Sequence, residues 1–450
     1  MPDRNHRNIK KVLFICLLFC FHNFLLLAQD TNPKIDLQVS ADTSLYHKPL
    51  QIIASGLAPA QKVKFQLDVI DAEQNHWQSH AIFVVNESGV VDLSTAESID
   101  GSYTGKYPMG LFWSMKSADD HQIATGRGYS AKLKLFSKEK ELAQKSFYRR
   151  STRELDQLDI EVLPIRDSII ADYYRPKRQP NGAAIIFLGG SGGHFRQERA
   201  SLFASEGFAV LNLKYFKHEG LPSGITEVPL EYVEKAHQFL LNRPELNPNK
   251  IGIMGRSMGS QLALLYAAHY SGLQYVVAEA PSNVVWFGWE DGKSSFTYQG
   301  QSFPYAYYTD EDSERLEKEM IARGEQYRDG PKFLSAFKDT TMIERTAIQV
   351  EDIRCPILFI SGQEDMTWPS AMMANRMMER LKVKQFKYDY QHFSYDNAGH
   401  NFAGGGQGCG IPYLPPEDYS QSSAKGGTDM GNALAASQSW KDILEFIKLH

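Results

Sequence analysis

Two hydrophobic rhythms divide the chain. Between Ile35 and Arg150, apolar residues alternate with polar ones: Ile35, Leu37 and Val39; Val63, Phe65, Leu67 and Val69; Ala131, Leu133 and Leu135. A period of two places every second side chain on one face of a strand. Gly, Asn, Asp and Ser clusters separate these runs, and no helical period intervenes. Short, half-buried strands in this number predict a β-sandwich over 35–150.

From 158 to 450 the rhythm is different. Segments 183–188, 208–213, 251–254, 275–278 and 357–360 are continuous apolar runs. Strands apolar on both faces belong to a parallel sheet covered by helices on both sides. Helices are expected over 229–242, with Val233, Ala236, Leu240 and Leu241 on one stripe, and after Ser257, with Leu262, Leu264, Leu265 and Ala268. A further strand is expected over 386–390 and a closing helix over 440–447. The alternation predicts an α/β fold with a mostly parallel sheet. It breaks over 286–345, a stretch rich in aromatics from Trp286 to Tyr308, followed by a charged helical piece over 310–323. An excursion after a core strand lies near the ligand site of such folds, and this one is expected to form a lid.

Residues 1–28 have the form of a secretory signal peptide. Arg4, Arg7, Lys10 and Lys11 precede an apolar run over 12–27, and Ala28 offers a small residue for cleavage. His22 and Asn23 interrupt that run, leaving it short for a membrane span. Bulky Phe19 before Cys20 disfavours lipid attachment. The expectation is export to a bacterial periplasm or envelope, with no stable membrane span after cleavage. Cys16 and Cys20 leave with the leader, so Cys355 and Cys409 remain, as one disulfide or two thiols.

A length of 450 residues suits two folded units. The net charge of -5, with no cluster of basic residues after the leader, gives no reason to expect a nucleic-acid partner. His-Glu-x-x-His and, after the leader, paired-cysteine spacings are absent, so neither a metal nor another cofactor is expected.

The chemistry centres on Gly255-Arg256-Ser257-Met258-Gly259. A serine hydroxyl is a weak nucleophile; it needs a base in contact and a tight turn that presents it. Gly-x-Ser-x-Gly between a strand and a helix supplies that turn and identifies an α/β-hydrolase with Ser257 as nucleophile. The acid and base should follow in the order Ser, acid, His. Asp365, after the strand 357–360 and Gly362, is the expected acid, with Glu364 as the alternative. His400, in the Gly-His loop after the last strand, is the expected base. An oxyanion hole would use the backbone N–H of Met258 and that of Gly190 or Ser191 in the turn Gly189-Gly190-Ser191-Gly192-Gly193. His194 either lines the pocket or is a solvated loop residue.

With these residues in place, the chain resembles the acyl-CoA thioesterase / bile acid-CoA:amino acid N-acyltransferase family. The resemblance rests on Val91-Asp92-Leu93-Ser94, the stretch 101–114, Ile185 to Gly190, Arg199 to Val210, Leu230-Glu231-Tyr232, Ala398-Gly399-His400, and Gly426-Gly427-Thr428 through Trp440. It covers nearly all of the chain after the leader. It implies that the β-sandwich is immunoglobulin-like and that Ser257, Asp365 and His400 carry the triad roles. A serine nucleophile in this family implies thioester hydrolysis, whereas cysteine marks the amino-acid transferase branch. The substrate implied is a small acyl thioester or ester. The alternatives are an exported esterase, amidase or acyltransferase using a non-CoA substrate, and a non-catalytic surface binding protein.

Overall fold

A computed structural model describes residues 34–118, 123–178, 182–195, 197–402, 411–415 and 424–450. The expected leader and Cys409 lie outside the described residues.

The period-two segments fold into two sheets. Asp36–Val39, Ile52–Ser55 and Val91–Asp92 form the smaller. The larger is built on Lys62–Ile70, His76–Val84, Tyr129–Ser137 and Lys140–Arg150, paired antiparallel. Val63, Phe65, Leu67 and Val69 are buried, and the residues between them are not. A register slip of one residue would expose all four, which fixes the pairing. Inward side chains of both sheets share one core, capped by Leu111, Phe112 and Trp113 of the short helix Gly110–Trp113.

The second unit is built on eight strands: β1 Ile160–Arg166, β2 Ile170–Pro176, β3 Ala184–Leu188, β4 Ala209–Lys214, β5 Ile251–Arg256, β6 Val276–Glu279, β7 Ile357–Gly362 and β8 Tyr390–Tyr395. Their order is β1-β2-β4-β3-β5-β6-β7-β8. The β1–β2 and β2–β4 pairs are antiparallel, and every pair from β4 to β8 is parallel. In β3 the residues alternate between two cores: Ile186 and Leu188 face one, Ile185 and Phe187 the other. Helices α1 Gln197–Ser205, α2 Leu230–Leu241, α3 Met258–His269, α4 Asp310–Ala322, α5 Gly330–Ala336, α6 Thr340–Arg345, α7 Ser370–Val383 and α8 Asp429–Leu449 complete the unit. Helices α2, α3 and α7 cover the first core, and α1 and α8 the second.

Three elements differ from expectation. The last strand begins at Tyr390, so 386–389 is connecting chain. As an edge strand β8 is half-buried throughout, and it carries Gln391, His392 and Ser394 in place of an apolar run. The closing helix starts at Asp429, eleven residues early, where the Thr428 side chain accepts from the Gly431 N–H. The hairpin of β1 and β2 was not anticipated; Pro164 interrupts its pattern but is tolerated on an edge strand. Within 286–345, Trp286 and Phe296 are buried in the main core, so the start of the excursion is fixed to the body of the unit.

Candidate active site

Strand β5 runs straight into the serine turn, and α3 begins one residue after Ser257. Ser257 has φ 55° and ψ -123°, a conformation that a residue with a Cβ adopts only when its surroundings impose it. Those surroundings are backbone. A Cβ on Gly255 would lie 2.0 Å from the Gly259 carbonyl oxygen, and one on Gly259 would lie 2.4 Å from that of Gly189. The Ser257 N–H donates to the Glu279 carbonyl at the end of β6, 2.9 Å away. Ser257 therefore stands at the carboxyl edge of the sheet, next to the first N–H groups of α3, which have no partner within the helix.

The expected residues meet there. His400 Nε2 is 3.1 Å from Ser257 Oγ, and His400 Nδ1 is 2.8 Å from Asp365 Oδ2. The Ser370 hydroxyl also donates to Oδ2, at 2.6 Å, while the Thr367 and Trp368 N–H groups donate to Oδ1 at 3.0 and 3.2 Å. With His400, four donors hold the carboxylate in one orientation. Glu364 instead ties the turn to Ala398 through its backbone N–H, at 2.9 Å. Trp368 sets its ring edge-to-face with the imidazole at 5.9 Å and donates its indole N–H to the Ala280 carbonyl.

Ser257, His400 and Asp365 are all buried. Burial drives the His400 pKa below its ordinary value; the Asp365 charge opposes this and the Arg256 charge adds to it. A neutral imidazole with Nδ1–H directed at Asp365 leaves Nε2 free to accept the Ser257 proton.

The glycine-rich turn after β3 closes the other side. A Cβ on Gly190 would sit 3.2 Å from the Ser257 Cβ. Ser191 and His194 follow as exposed residues of the same loop. An edge-to-face chain of aromatic rings links the excursion to the base: Tyr308 to Phe333 at 5.4 Å, Phe333 to Trp368 at 5.8 Å, then Trp368 to His400. The Gly330 N–H also donates to the Met366 carbonyl, docking the start of α5 on the acid turn.

Some supports went unrecognised in the sequence. The buried Arg256 guanidinium donates from Nη2 to the His400 carbonyl at 2.8 Å and to Asn401 Oδ1 at 2.9 Å, tying the serine turn to the base loop. A lone charge ending an otherwise apolar strand was its available signal. Asn432 of α8 accepts from the Gly399 N–H at 2.8 Å, and the Lys425 carbonyl accepts from the His400 N–H at 2.8 Å. These contacts come from distant segments and had no local signature. Among the described residues, no group of three His, Cys, Asp or Glu is placed to hold a metal, and no helix is long and apolar enough to cross a membrane. Cys355 is buried, which pushes its thiol pKa up to about 12.

A predominantly parallel eight-stranded sheet, with helices on both faces and a strained Gly-x-Ser-x-Gly turn after β5, defines an α/β-hydrolase. Comparison with known proteins narrows this class. Residues 47–161 match the model described as "Acyl-CoA thioester hydrolase/BAAT N-terminal region", and residues 228–450 match "BAAT / Acyl-CoA thioester hydrolase C terminal". The chain belongs to the family of acyl-CoA thioester hydrolases and bile acid-CoA:amino acid N-acyltransferases, and it is an enzyme. It is 30% identical over 430 residues to the mouse bile acid-CoA:amino acid N-acyltransferase, covering 91% of this chain and 96% of the relative. It is 29% identical to mouse acyl-coenzyme A amino acid N-acyltransferase 2, covering 92% and 98%. It is 26% identical to mouse acyl-coenzyme A thioesterase 5, covering 93% and 97%.

Proposed function

We propose that this enzyme hydrolyses an acyl thioester, or an ester, through an acyl-enzyme on Ser257. The observation that carries the reading is the 3.1 Å contact between Ser257 Oγ and His400 Nε2 at a positive-φ turn. Ser257 Oγ bonds to the carbonyl carbon as its proton passes to Nε2, and Asp365 holds the imidazole tautomer. The oxygen of the tetrahedral intermediate receives the N–H of Met258 and that of Gly190 or Ser191. The carbon–sulfur bond then breaks and the thiol leaves with the proton from Nε2. Water repeats the sequence on the acyl-enzyme and releases the carboxylic acid. The aromatic residues of 286–345 wall the acyl group.

Replacing Ser257 by Ala should lower kcat by about a thousandfold or more and abolish labelling by a fluorophosphonate, with the circular dichroism spectrum unchanged. Labelling that persists in the variant would overturn the assignment.

A second reading is favoured by the relatives named as N-acyltransferases: the acyl-enzyme passes to an amino-acid amine instead of water. Product analysis with an amino acid present separates the two, since transfer yields an amide and hydrolysis an acid. We also infer export with cleavage after Ala28, on the basic and then apolar order of the leader. N-terminal sequencing of the native protein tests it; a cytosolic protein beginning at Met1 would reject it.

A further inference from the structure

A buried ion pair stands behind the serine turn. Glu279 ends β6, and its backbone carbonyl accepts from the Ser257 N–H at 2.9 Å. Two residues on from Val277, its side chain faces the same side of the sheet, toward α1 and α8. There Arg199 Nη2 of α1 meets Glu279 Oε1 at 2.5 Å, with the two side chains 3% and 0% exposed. The Arg199 guanidinium also lies over the Phe203 and Trp440 rings, 5.3 and 5.4 Å from their centroids. Ala280, the next residue along, has φ 44°, so the chain at this strand end is held outside its ordinary range.

Stability alone gives little reason for such a pair. Taking two charges out of water costs about as much as their attraction returns, and apolar side chains of similar volume often serve as well. What the pair adds is direction, because it joins two particular segments in one geometry. Glu279 holds the serine turn, which carries the Met258 N–H. Arg199 stands in α1, the first helix after the glycine turn that carries the Gly190 and Ser191 N–H groups. The rest of α1 is fixed as well. Ser201 and Glu198 meet Thr152 and Arg153 of the chain joining the two units, at 2.9 and 3.1 Å. Glu206, just beyond the helix, meets His47 of the sandwich at 3.0 Å. The ion pair therefore connects the two segments that would supply an oxyanion with its donors.

We propose that Arg199 and Glu279 are positioning residues that set the spacing of the oxyanion donors, one on the serine turn and one on the glycine loop. This rests on the acyl-enzyme reading and adds to it what aligns the oxyanion hole. Misaligned donors cost little while the substrate carbonyl is neutral, and much once its oxygen carries charge. Loss of the pair should therefore fall on kcat rather than on KM.

The test replaces both partners at once. Arg199→Met with Glu279→Leu removes both charges at similar volume, so the unfolding midpoint should stay at or above that of the wild type. On one thioester, kcat should nevertheless fall roughly ten- to a hundredfold, with KM within about twofold. A decyl trifluoromethyl ketone gives a second readout. Ser257 Oγ adds to its carbonyl carbon, the carbonyl oxygen takes up the charge, and the proton passes to His400 Nε2. Its inhibition constant should rise by the same factor as kcat falls. Arg199→Lys keeps the charge but replaces the fork by a single-point contact, and it should show a smaller loss of the same kind. Wild-type values of kcat and of the inhibition constant in the double variant would reduce the pair to packing. Should that variant not fold, the same result in Arg199→Lys would do so. A loss confined to KM would also overturn the proposal, since the donors act on the charged state. If the wild-type protein takes neither the ketone nor a fluorophosphonate, the acyl-enzyme fails and the positioning role with it. A wild type that takes both, beside an unaffected double variant, rejects the positioning role alone.

Discussion

Among the described residues, two serine–histidine contacts have similar hydrogen-bond geometry and different surroundings. Ser257 meets His400 at 3.1 Å, and His400 meets Asp365 at 2.8 Å. Two strands away in the sheet, Ser361 meets His392 at 2.7 Å, and His392 meets Asn375 at 3.0 Å. By distance the second trio is no worse. Ser361, however, lies within β7, fully buried, with its Oγ also donating to Ser394 Oγ across to β8. Its third partner is a neutral amide, which cannot stabilise an imidazolium as a carboxylate does. Ser257 has a strained turn, the start of a helix and a glycine loop against it. A relay of three side chains is therefore not sufficient; setting the oxygen in a strained turn beyond the strand, beside the N–H groups that open a helix, separates chemistry from packing.

The sharpest way to break this comparison is to exchange the third partner. Asp365→Asn keeps the shape but removes the charge and the preferred tautomer, and it should lower kcat by about ten-thousandfold. Asn375→Ala should leave kcat within about twofold. Steady-state rates on one thioester measure both. Comparable losses in the two variants would erase the distinction between the trios.

A smaller effect is expected at Arg256. Arg256→Met unties the serine turn from the carbonyl of His400, and a misplaced base should lower kcat by roughly ten- to a hundredfold. The pH profile adds a readout that loosened packing would not move. The base must be neutral to act, so activity is lost as pH falls through the His400 pKa. Burial, the Asp365 charge and the Arg256 charge together place that acid limb below the ordinary histidine value of 6.5. Removing the Arg256 cation removes one of the depressing causes, so the limb should move to higher pH. An unmoved limb would reduce Arg256 to a packing residue.

The sequence made the ends of the core strands legible because chemistry there is local. Gly255 to Gly259 is a contiguous signature, and Asp365 and His400 each follow a strand in the order the fold requires. What stayed hidden depends on segments meeting in space. Asn432, on α8, reaches the base loop from 33 residues away, and its polar side chain in a helix predicts nothing by itself. The β8 boundary was misjudged for a related reason: an edge strand keeps its polar residues, so apolar periodicity marks the aromatic connection before it more strongly than the strand itself.

The smallest expected effect is at Ser361. Ser361→Ala removes a hydroxyl that neither forms the acyl-enzyme nor sits in a turn that opens a helix, so kcat, the acid limb and fluorophosphonate labelling should all match the wild type. Stability should fall by about 1 kcal/mol, the net worth of one intramolecular hydrogen bond, because His392 is only half-buried and water can reach the nitrogen left behind. The pH dependence has a definite sign. Burial lowers the His392 pKa to about 4, below the value of 6.5 that the unfolded chain would show. The unfolded state therefore binds more protons between those values. The contribution of His392 to stability is fully present above pH 6.5 and is lost as pH falls toward 4. Denaturant unfolding at pH 7.5 and pH 4.5 measures both statements. Loss of labelling or of turnover in Ser361→Ala would show that the second trio takes part in the chemistry, and that its place within a strand does not silence it.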